Sequence, residues 1–387
     1  MKLDLTPEQA FFHGTTRQFL DDKVPTSLVR ELRSDPAGFG RDFWRQGADL
    51  GWTSLLVTEA DGGGSVSGQG LVDLTLVAFE FGRYAAPGPL TAANLVTAGV
   101  TRSGTAQQKA ELLPGLMTGD RIGSWAYAEP RPFDRLGAVG VRATRSNGMY
   151  RLTGVKAPVE AAGQADLFLV TAVLASEGDE DGGLIQFLVP ADTPGVSVRP
   201  MRTLDITRRY GRVAFADAAV PASAVLGEPG NAAGDVERQL QIALVIQLAE
   251  LTGTMDRGLE LTTEWLFNRY SFGRPLASYQ ALKHRFADMF MWLESSHATS
   301  DTACAAVAAD DPGAAELVSA AKAYIGQYGA ELVQDCTQMH GGIGVTFEHD
   351  LHLFLRRVTV NRALAGTPAE HRQRIAAFVD AREGAAA

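Results

Sequence analysis

The spacing of hydrophobic residues changes twice along the chain, and each change marks a different kind of structure. In the first part, helical stretches are separated by Gly and Pro residues. The first helix is expected to begin at Thr6, which can cap it, with Pro7 in the first turn and Gln9 closing a capping box. Further helices are predicted at residues 39–50, 70–84, 88–98 and 105–117, with a flexible glycine-rich break at 60–65.

From about Ile122 the pattern changes to short apolar runs of the kind that form β-strands. Because turn sequences bound these runs, neighbouring strands are expected to pair in an antiparallel way. We therefore predict an antiparallel sheet or barrel over residues 122–228. The runs lie at 151–153, 167–171, 184–189 and 211–215, and the turns at 147–148, 177–179 and 193–195.

Helical spacing returns after Pro229 and Gly230. Residues 235–268 form one long run in which Leu and Met recur at three- and four-residue steps, and further helices follow. The predicted fold class is α+β, with an N-terminal helical domain (1–121), a middle β domain (122–228) and a C-terminal four-helix bundle (229–387). The recurring positions are Leu240, Leu244, Leu248, Leu251, Met255 and Leu259.

Composition and charge narrow the possible classes of protein. The 387 residues exceed what one hydrophobic core usually covers, in agreement with several domains. A net charge of −10 argues against a nucleic-acid partner. Cys304 and Cys336 are the only cysteines, too few for a disulfide framework or a cysteine-based metal site. With no signal sequence or long apolar run, we expect a cytoplasmic protein without a metal or a membrane segment.

A glycine-rich stretch, Gln338–Met339–His340–Gly341–Gly342–Ile343–Gly344, stands between two helical runs. Glycines allow positive φ angles and let the backbone approach another surface closely. Exposed N–H groups beside a helix N-terminus suit an anion such as a diphosphate. By itself such a stretch is more often only a tight corner between helices.

Three motifs in the C-terminal part together resemble the acyl-CoA dehydrogenase family, and the resemblance covers nearly the whole chain. Arg269–Tyr270–Ser271–Phe272–Gly273 is similar to the family's Arg-x-x-Phe-Gly, and Gln280 stands at the expected distance after it. The stretch from Gln338 to Gly344 is similar to Gln-x-x-Gly-Gly-x-Gly. The resemblance implies the same order of helical, β and four-helix domains.

The resemblance also implies FAD as cofactor and assigns roles to these residues. Arg269 would contact the FAD diphosphate, Phe272 would pack on the cofactor and Gln280 would hydrogen-bond it. A neighbouring subunit's FAD would place its adenosine diphosphate end on Gln338, Met339, His340, Gly341 and Gly342. An arginine offers a planar fork of donors to phosphate oxygens.

The family reaction removes the α-proton of an acyl-CoA with a carboxylate while a hydride moves from Cβ to the flavin. An external electron-transfer flavoprotein is the implied electron acceptor. This chain departs from the family at the base: Ala365 stands at one family position and Ala243 at the other. Leu244 stands where many members carry an arginine for CoA.

Glu250 lies about two helical turns after Ala243. Two interpretations stay open for it. It can be a relocated catalytic base, or it can be a glutamate at a helix interface that pairs with Arg257 or Lys283.

The middle domain departs from the family as well. The family's Thr-Glu-Pro reads Ala128–Glu129–Pro130, and its Gly-Ser-Asp reads Phe133–Asp134–Arg135. Gly154–Val155–Lys156 keeps a Gly-x-Lys motif, but Pro158–Val159–Glu160 replaces the ring-packing aromatic and the hydroxyl. An ionised Glu160 at ~4 Å from a reduced flavin would cost about 4 kcal/mol at an effective dielectric near 20.

The residues implied for the phosphate half of FAD are thus present, while those for the ring, the base and the thioester are changed. Some actinobacterial members of the family are α2β2 assemblies of two different chains, and this chain resembles the partner that lacks the base. The alternatives are a homotetramer that uses Glu250 and a non-redox scaffold or binding subunit. The acyl group, whether fatty, branched or steroid-derived as in side-chain β-oxidation, stays open.

Overall fold

The computed structural model describes residues 5–130, 139–146, 148–175 and 181–386. The sequence interpretations of Phe133–Asp134–Arg135, of Asn147 and of residues 177–179 concern positions outside these ranges.

The N-terminal region is helical, as predicted, and its first cap is confirmed. Thr6 Oγ1 accepts a hydrogen bond from the Gln9 N–H at 3.2 Å, and Gln9 Oε1 accepts one from the Thr6 N–H at 3.2 Å. The capping box therefore satisfies donors that the helix itself leaves unpaired. The helices are α1 (Pro7–Lys23), α2 (Thr26–Glu31), α3 (Arg41–Asp49), α4 (Gly70–Arg83), α5 (Leu90–Ser103) and α6 (Ala106–Met117).

The middle region is a sheet, and not all of its pairs are antiparallel. Strand order is β6-β7-β3-β2-β4-β5-β8, and β1 also pairs with β4. The β1–β4 and β2–β4 pairs run parallel, which corrects the purely antiparallel prediction. The strands are β1 (Gly123–Ala126), β2 (Arg142–Ser146), β3 (Met149–Glu160), β4 (Leu167–Ala175), β5 (Asp181–Pro190), β6 (Val196–Met201), β7 (Tyr210–Pro221) and β8 (Val225–Leu226).

The sequence pattern did not predict β2 or β6. Both strands are largely exposed, so their side chains need not be apolar: only Ala143 of β2 is buried, and β6 is an edge strand. Hydrophobic periodicity detects a strand only where one face of it is covered. The sheet has a buried core of its own, formed by residues such as Phe168, Ile185 and Val213.

The C-terminal region is a helical bundle in which α9 contacts the four other long helices. A short hairpin of β9 (Tyr270–Ser271) and β10 (Arg274–Pro275) follows the longest helix. None of the helices in the described ranges is both long and apolar enough to cross a membrane. The helices are α7 (Ala233–Asn268), α8 (Gln280–Ala308), α9 (Ala314–His340), α10 (Leu351–Ala363) and α11 (Pro368–Ala386).

Two glycines allow α4 and α7 to pack backbone to backbone. A Cβ atom at Gly82 would lie 2.0 Å from the carbonyl oxygen of Glu250, and one at Gly253 would lie 1.9 Å from that of Phe79. Such distances are far below van der Waals contact, so each position requires glycine. This contact joins the N-terminal helices and the bundle in one hydrophobic core and fixes Glu250 beside α4.

Candidate active site

A cavity of about 600 Å³ lies where the sheet meets α5, α7 and α10. Trp125 and Tyr127, at the end of β1, stack in its wall with ring centroids 4.8 Å apart and planes 11° apart. The volume lies in the range of pockets that hold small molecules and cofactors. Side chains from several elements complete the wall, among them Ala92, Glu160, Met201, Arg208, Gln247 and Val360.

Ala365 lines this cavity and brings no carboxylate to it. Its φ angle is 51°, in the left-handed region between α10 and α11. Its carbonyl oxygen lies 2.9 Å from Nε2 of the buried His371. Ala243 is fully buried in α7 and does not line the cavity, whereas Gln247, one helical turn further on, does. Neither family position therefore supplies a base in this chain.

Glu250 is fully buried and ion-paired on both carboxylate oxygens. Its Oε2 accepts a hydrogen bond from Arg208 Nη2 at 2.7 Å, and its Oε1 accepts one from Arg357 Nη1 at 2.6 Å. Burial alone would raise the pKa of Glu250, but the two guanidinium groups hold it below its ordinary value. The expected pairing with Arg257 or Lys283 is therefore wrong. The actual partners lie 42 residues before and 107 residues after Glu250.

Arg357 extends this buried network to the other domains. Its Nε donates to Asp205 Oδ2 at 2.5 Å, and its Nη2 donates to the carbonyl oxygens of Ala85 and Ala86 at 3.1 and 3.0 Å. One side chain of α10 thus joins the N-terminal helices, the β6–β7 connection and α7. These contacts favour a structural role for Glu250, which does not line the cavity. Its role as the base stays a prediction.

The carboxyl group of Glu160 lines the cavity at the end of β3. Its Oε1 lies 3.4 Å from Arg208 Nη1, and its Oε2 accepts a hydrogen bond from the Ala92 N–H at 3.3 Å. Burial raises the pKa of Glu160; Arg208 opposes this shift and Glu250 adds to it. Burial disfavours the charged form of Glu160, and the guanidinium group of Arg208 lies beside it. The repulsion between Glu160 and a reduced flavin would therefore be weaker than the sequence suggested.

The retained Gly-x-Lys motif has a structural explanation. Lys156 is fully buried, and its Nζ donates to Glu129 Oε1 at 2.8 Å and to the carbonyl oxygen of Tyr127 at 3.0 Å. Glu129 Oε1 also accepts hydrogen bonds from the N–H groups of Gly140 and Val141 at 2.7 and 2.9 Å. The pair therefore holds the segment after β1 against β3, at the edge of the cavity.

A buried amine lies behind the cavity wall. Lys322 Nζ donates to Gln247 Oε1 at 3.2 Å and to the carbonyl oxygen of Asn361 at 2.6 Å. Burial lowers the pKa of Lys322 to about 7, with Glu250 opposing the shift. Since Oε1 of Gln247 is taken by Lys322, its amide N–H groups are left for a ligand in the cavity. No sequence pattern singled out Lys322, Arg208 or Arg357 beyond their charge.

The residues implied for the FAD diphosphate meet at one end of the bundle. The guanidinium carbon of Arg269 lies 5.8 Å from the ring centroid of Trp265. Trp265 stacks on His340, with centroids 5.2 Å apart, and His340 contacts His349 at 4.6 Å. The structure therefore brings Arg269 and the glycine-rich turn together through Trp265. Arg269 is exposed and has no carboxylate partner in the described residues.

The turn is open to solvent at Gly341 and Gly342, whereas Gly344 is buried. Gly341 has a φ angle of 66°, and a Cβ atom at Gly341 or Gly342 would meet nothing within 4 Å. Gln338 is exposed, whereas Met339 and His340 are buried, so those two can offer a ligand only their backbone. His340 Nδ1 lies 2.7 Å from the carbonyl oxygen of Cys336. An uncommitted guanidinium group beside open backbone fits a diphosphate.

Phe272 and Gln280 lie on the neighbouring hairpin and helix start. Phe272 is 97% exposed and has a φ angle of 51° at the tip of the β9–β10 hairpin. Gln280 is exposed at the first position of α8. Neither residue lines the cavity, and neither does Arg269 or Gln338. The chain thus presents the residues implied for FAD binding on its outer surface, away from its own cavity.

Family models match the chain in three consecutive parts. They are described as the acyl-CoA dehydrogenase N-terminal domain (residues 6–120), middle domain (124–217) and C-terminal domain (222–379).

Individual proteins resemble the chain over nearly its full length. FadE27, an acyl-CoA dehydrogenase of Mycobacterium tuberculosis, is 29% identical over 93% of this chain and 94% of its own. A solved structure described as a Tcur3481-Tcur3483 steroid ACAD variant has a TM-score of 0.87 and 28% identity, covering 98% of this chain and 99% of its own. A glutaryl-CoA dehydrogenase of Mycobacterium smegmatis, solved in complex with FADH2, shares the fold with a TM-score of 0.85 and 22% identity, covering 97% and 95% of the two chains.

Proposed function

Because the chain belongs to the acyl-CoA dehydrogenase family, whose members are FAD-dependent, we propose that it is one subunit of a hetero-oligomeric acyl-CoA dehydrogenase. Its paralogous partner supplies the catalytic base. One observation carries this proposal: Ala365 and Ala243 bring no carboxylate to the cavity, while the exposed Arg269 lies near the open backbone of Gly341 and Gly342 on the surface.

In this assembly the chain acts mainly on the phosphate half of a FAD that lies across the subunit interface. Arg269 donates to the diphosphate oxygens, and Gly341 and Gly342 let the backbone come close to them. Phe272, exposed on its hairpin, packs on the cofactor, and Gln280 hydrogen-bonds it. Bound FAD would supply the acceptor for the hydride that leaves the β-carbon of the acyl group. The oligomer is an α2β2 tetramer. An external electron-transfer flavoprotein reoxidises its flavin.

The substrate class is an acyl-CoA thioester. A structure with 28% identity to this chain is described as a steroid ACAD, so a steroid-derived acyl-CoA is the first substrate to test, beside straight-chain and branched ones. Gln247 supports a role for the chain's own cavity in binding. Lys322 fixes its Oε1, so the amide N–H groups can donate to a carbonyl oxygen.

A homotetramer with its own base is the second candidate. One observation favours it: Glu160 lines the cavity, and burial raises the pKa of its carboxyl group. Glu250 is the other candidate for the catalytic base, although both of its carboxylate oxygens are hydrogen-bonded to arginines. A non-redox scaffold is the third candidate, because the ring contacts of the family are replaced at Pro158 and Glu160.

The absorbance spectrum and FAD content distinguish these candidates. The chain is purified alone and after co-expression with a paralogous family chain, and each sample is mixed with an acyl-CoA. We expect flavin bleaching and turnover only from the pair. Full activity of the chain alone would overturn the heteromeric proposal in favour of the homotetramer. Absence of flavin from both samples would favour the scaffold.

The variant Arg269→Gln tests the cofactor site in the same samples. Loss of one charge-assisted contact to the diphosphate should weaken FAD binding about tenfold or more. Arg382→Gln is the matched control, because Arg382 is 62% exposed and, in the part of the chain that the structure describes, its ion pair is with Glu316. Equal FAD content in wild type and both variants would remove Arg269 from the site.

A further inference from the structure

A second cleft, of about 390 Å³, is lined by arginines from three separate parts of the chain. Arg33 follows α2, Arg202 and Arg209 belong to the β6–β7 connection, and Arg356 lies on α10. We name this site the arginine cleft. The chain as a whole carries a net charge of −10, so a local concentration of positive charge needs an explanation.

The fold accounts for one of these arginines but not for the others. Arg209 donates to the carbonyl oxygens of Asp35 and Ile206, at 2.7 and 2.8 Å, and is therefore structural. Arg356 donates to one carbonyl oxygen at 3.2 Å, and Arg33 lies over the Phe347 ring at 5.2 Å. In the described part of the chain, neither of these two, nor Arg202, has a carboxylate partner.

The one carboxylate in the lining does not neutralise the cleft. Asp205 is 1% exposed, and its Oδ2 accepts a hydrogen bond from Arg357 Nε at 2.5 Å. Asp205 therefore belongs to the buried network with Arg357. The guanidinium groups of Arg33, Arg202 and Arg356 have no carboxylate partner in the described residues, so their mutual repulsion would be relieved by an anion in the cleft. Several guanidinium groups facing one cleft suit a ligand with more than one phosphate group.

The arginine cleft also adjoins the active-site cavity, since Met201 and Thr203 line both. We propose that the arginine cleft binds the diphosphate group of a nucleotide whose other end reaches the cavity. This inference rests on the proposed function, which provides the acyl-CoA as the expected ligand. FAD, whose diphosphate that function places on Arg269, is the alternative that the test distinguishes. Both carry a diphosphate at a distance from their reacting end.

Titration calorimetry of the full chain, alone and with its partner, tests this proposal. The probes are CoA, FAD, inorganic pyrophosphate and adenosine, and the variants are Arg33→Gln and Arg202→Gln. Arg212→Gln is the matched control, an exposed arginine of the same sheet domain outside the cleft. Circular dichroism verifies that each variant is folded.

We expect each cleft variant to weaken binding of one nucleotide about tenfold, with no change in the control. Loss confined to CoA assigns the cleft to the substrate, and loss confined to FAD assigns it to the cofactor. Pyrophosphate binding should weaken in parallel and adenosine binding should not change. Higher salt should weaken the wild type more than the variants. Unchanged affinity for both nucleotides in Arg33→Gln and in Arg202→Gln, or an equal loss in the control, overturns the proposal.

These binding measurements do not depend on enzymatic turnover. The arginine-cleft proposal and the proposed function can therefore be tested separately. If the pair oxidises acyl-CoA while both cleft variants bind nucleotides like the wild type, only the cleft assignment is wrong. If nucleotide binding depends on Arg33 and Arg202 but no acyl-CoA is oxidised under any condition, only the proposed function is wrong.

Discussion

Oε1 of Glu250 lies 2.6 Å from Nη1 of Arg357, and both side chains are fully buried. The pair joins α7 to α10, and Arg208 binds the other carboxylate oxygen at 2.7 Å. A relocated base would need an oxygen free to reach a substrate. In Glu250 both oxygens are engaged inside the protein, so its contacts are those of a structural residue.

Glu250→Gln should therefore reduce stability before it affects chemistry. Removing one partner from a buried ion pair leaves the other charge uncompensated, and the free energy of unfolding should fall by about 3–5 kcal/mol. Denaturant unfolding at neutral pH measures this change. Glu260→Gln is the control, because Glu260 is 39% exposed in its contact with Arg83 and should lose about 1 kcal/mol or less. A stable, flavin-loaded Glu250→Gln assembly without turnover would falsify the structural assignment.

The contacts of Glu250 show which interactions can be predicted from the sequence and which cannot. The Thr6–Gln9 cap could be predicted because its donors and acceptors lie three residues apart. The partners of Glu250 could not, because they come from the β6–β7 connection and from α10. Helical periodicity placed Glu250 on a buried helix, but it carries no information on which distant arginine will face it.

The same limit applies to the cofactor residues and to the sheet. Short motifs singled out Arg269 and the 338–344 stretch, but their meeting through Trp265 depends on the fold. The parallel β1–β4 pair joins strands that are separated by a hairpin in the chain, so local turn signals predicted antiparallel neighbours instead.

Gly82→Ala should destabilise the contact between α4 and α7. A Cβ atom there would lie 2.0 Å from the Glu250 carbonyl oxygen, so the helices would have to move apart. Overpacking of this kind costs about 1–3 kcal/mol, more where the obstacle is backbone. Thermal unfolding measures the loss.

Gly14→Ala is the control, because a Cβ at Gly14 meets nothing within 4 Å. This substitution should stabilise α1 by up to about 1 kcal/mol. Equal melting temperatures for wild type and Gly82→Ala would contradict the close helix contact.

Lys322 should make stability depend on pH in the alkaline range. Burial lowers its pKa from 10.5 to about 7 in the folded protein. Between these values the unfolded chain binds more protons than the folded one, so the free energy of unfolding rises with pH. Wild type should gain about 1 kcal/mol per pH unit relative to Lys322→Met between pH 7.5 and 9.5. Denaturant unfolding across this range measures the difference.

The control for that series is Lys283→Met, at an exposed lysine on α8. Its stability should follow that of the wild type at every pH. A constant difference between wild type and Lys322→Met over the same range would mean that the amine titrates normally.

Glu160→Gln should have the opposite effect to Glu250→Gln. Burial raises the pKa of Glu160, so the folded protein binds more protons than the unfolded chain between its ordinary pKa of 4.5 and the raised value. The resulting stability is present at low pH and is lost as pH rises through the folded pKa.

Glutamine at position 160 keeps an oxygen that can accept the hydrogen bond of the Ala92 N–H, and it removes the titrating proton. At neutral pH the variant should therefore be as stable as wild type or more stable, and its relative stability should increase from pH 5 upward. Unfolding series for both glutamate variants over the same buffers measure this contrast. A neutral-pH loss as large as that of Glu250→Gln would show that Glu160 is held as a carboxylate by Arg208.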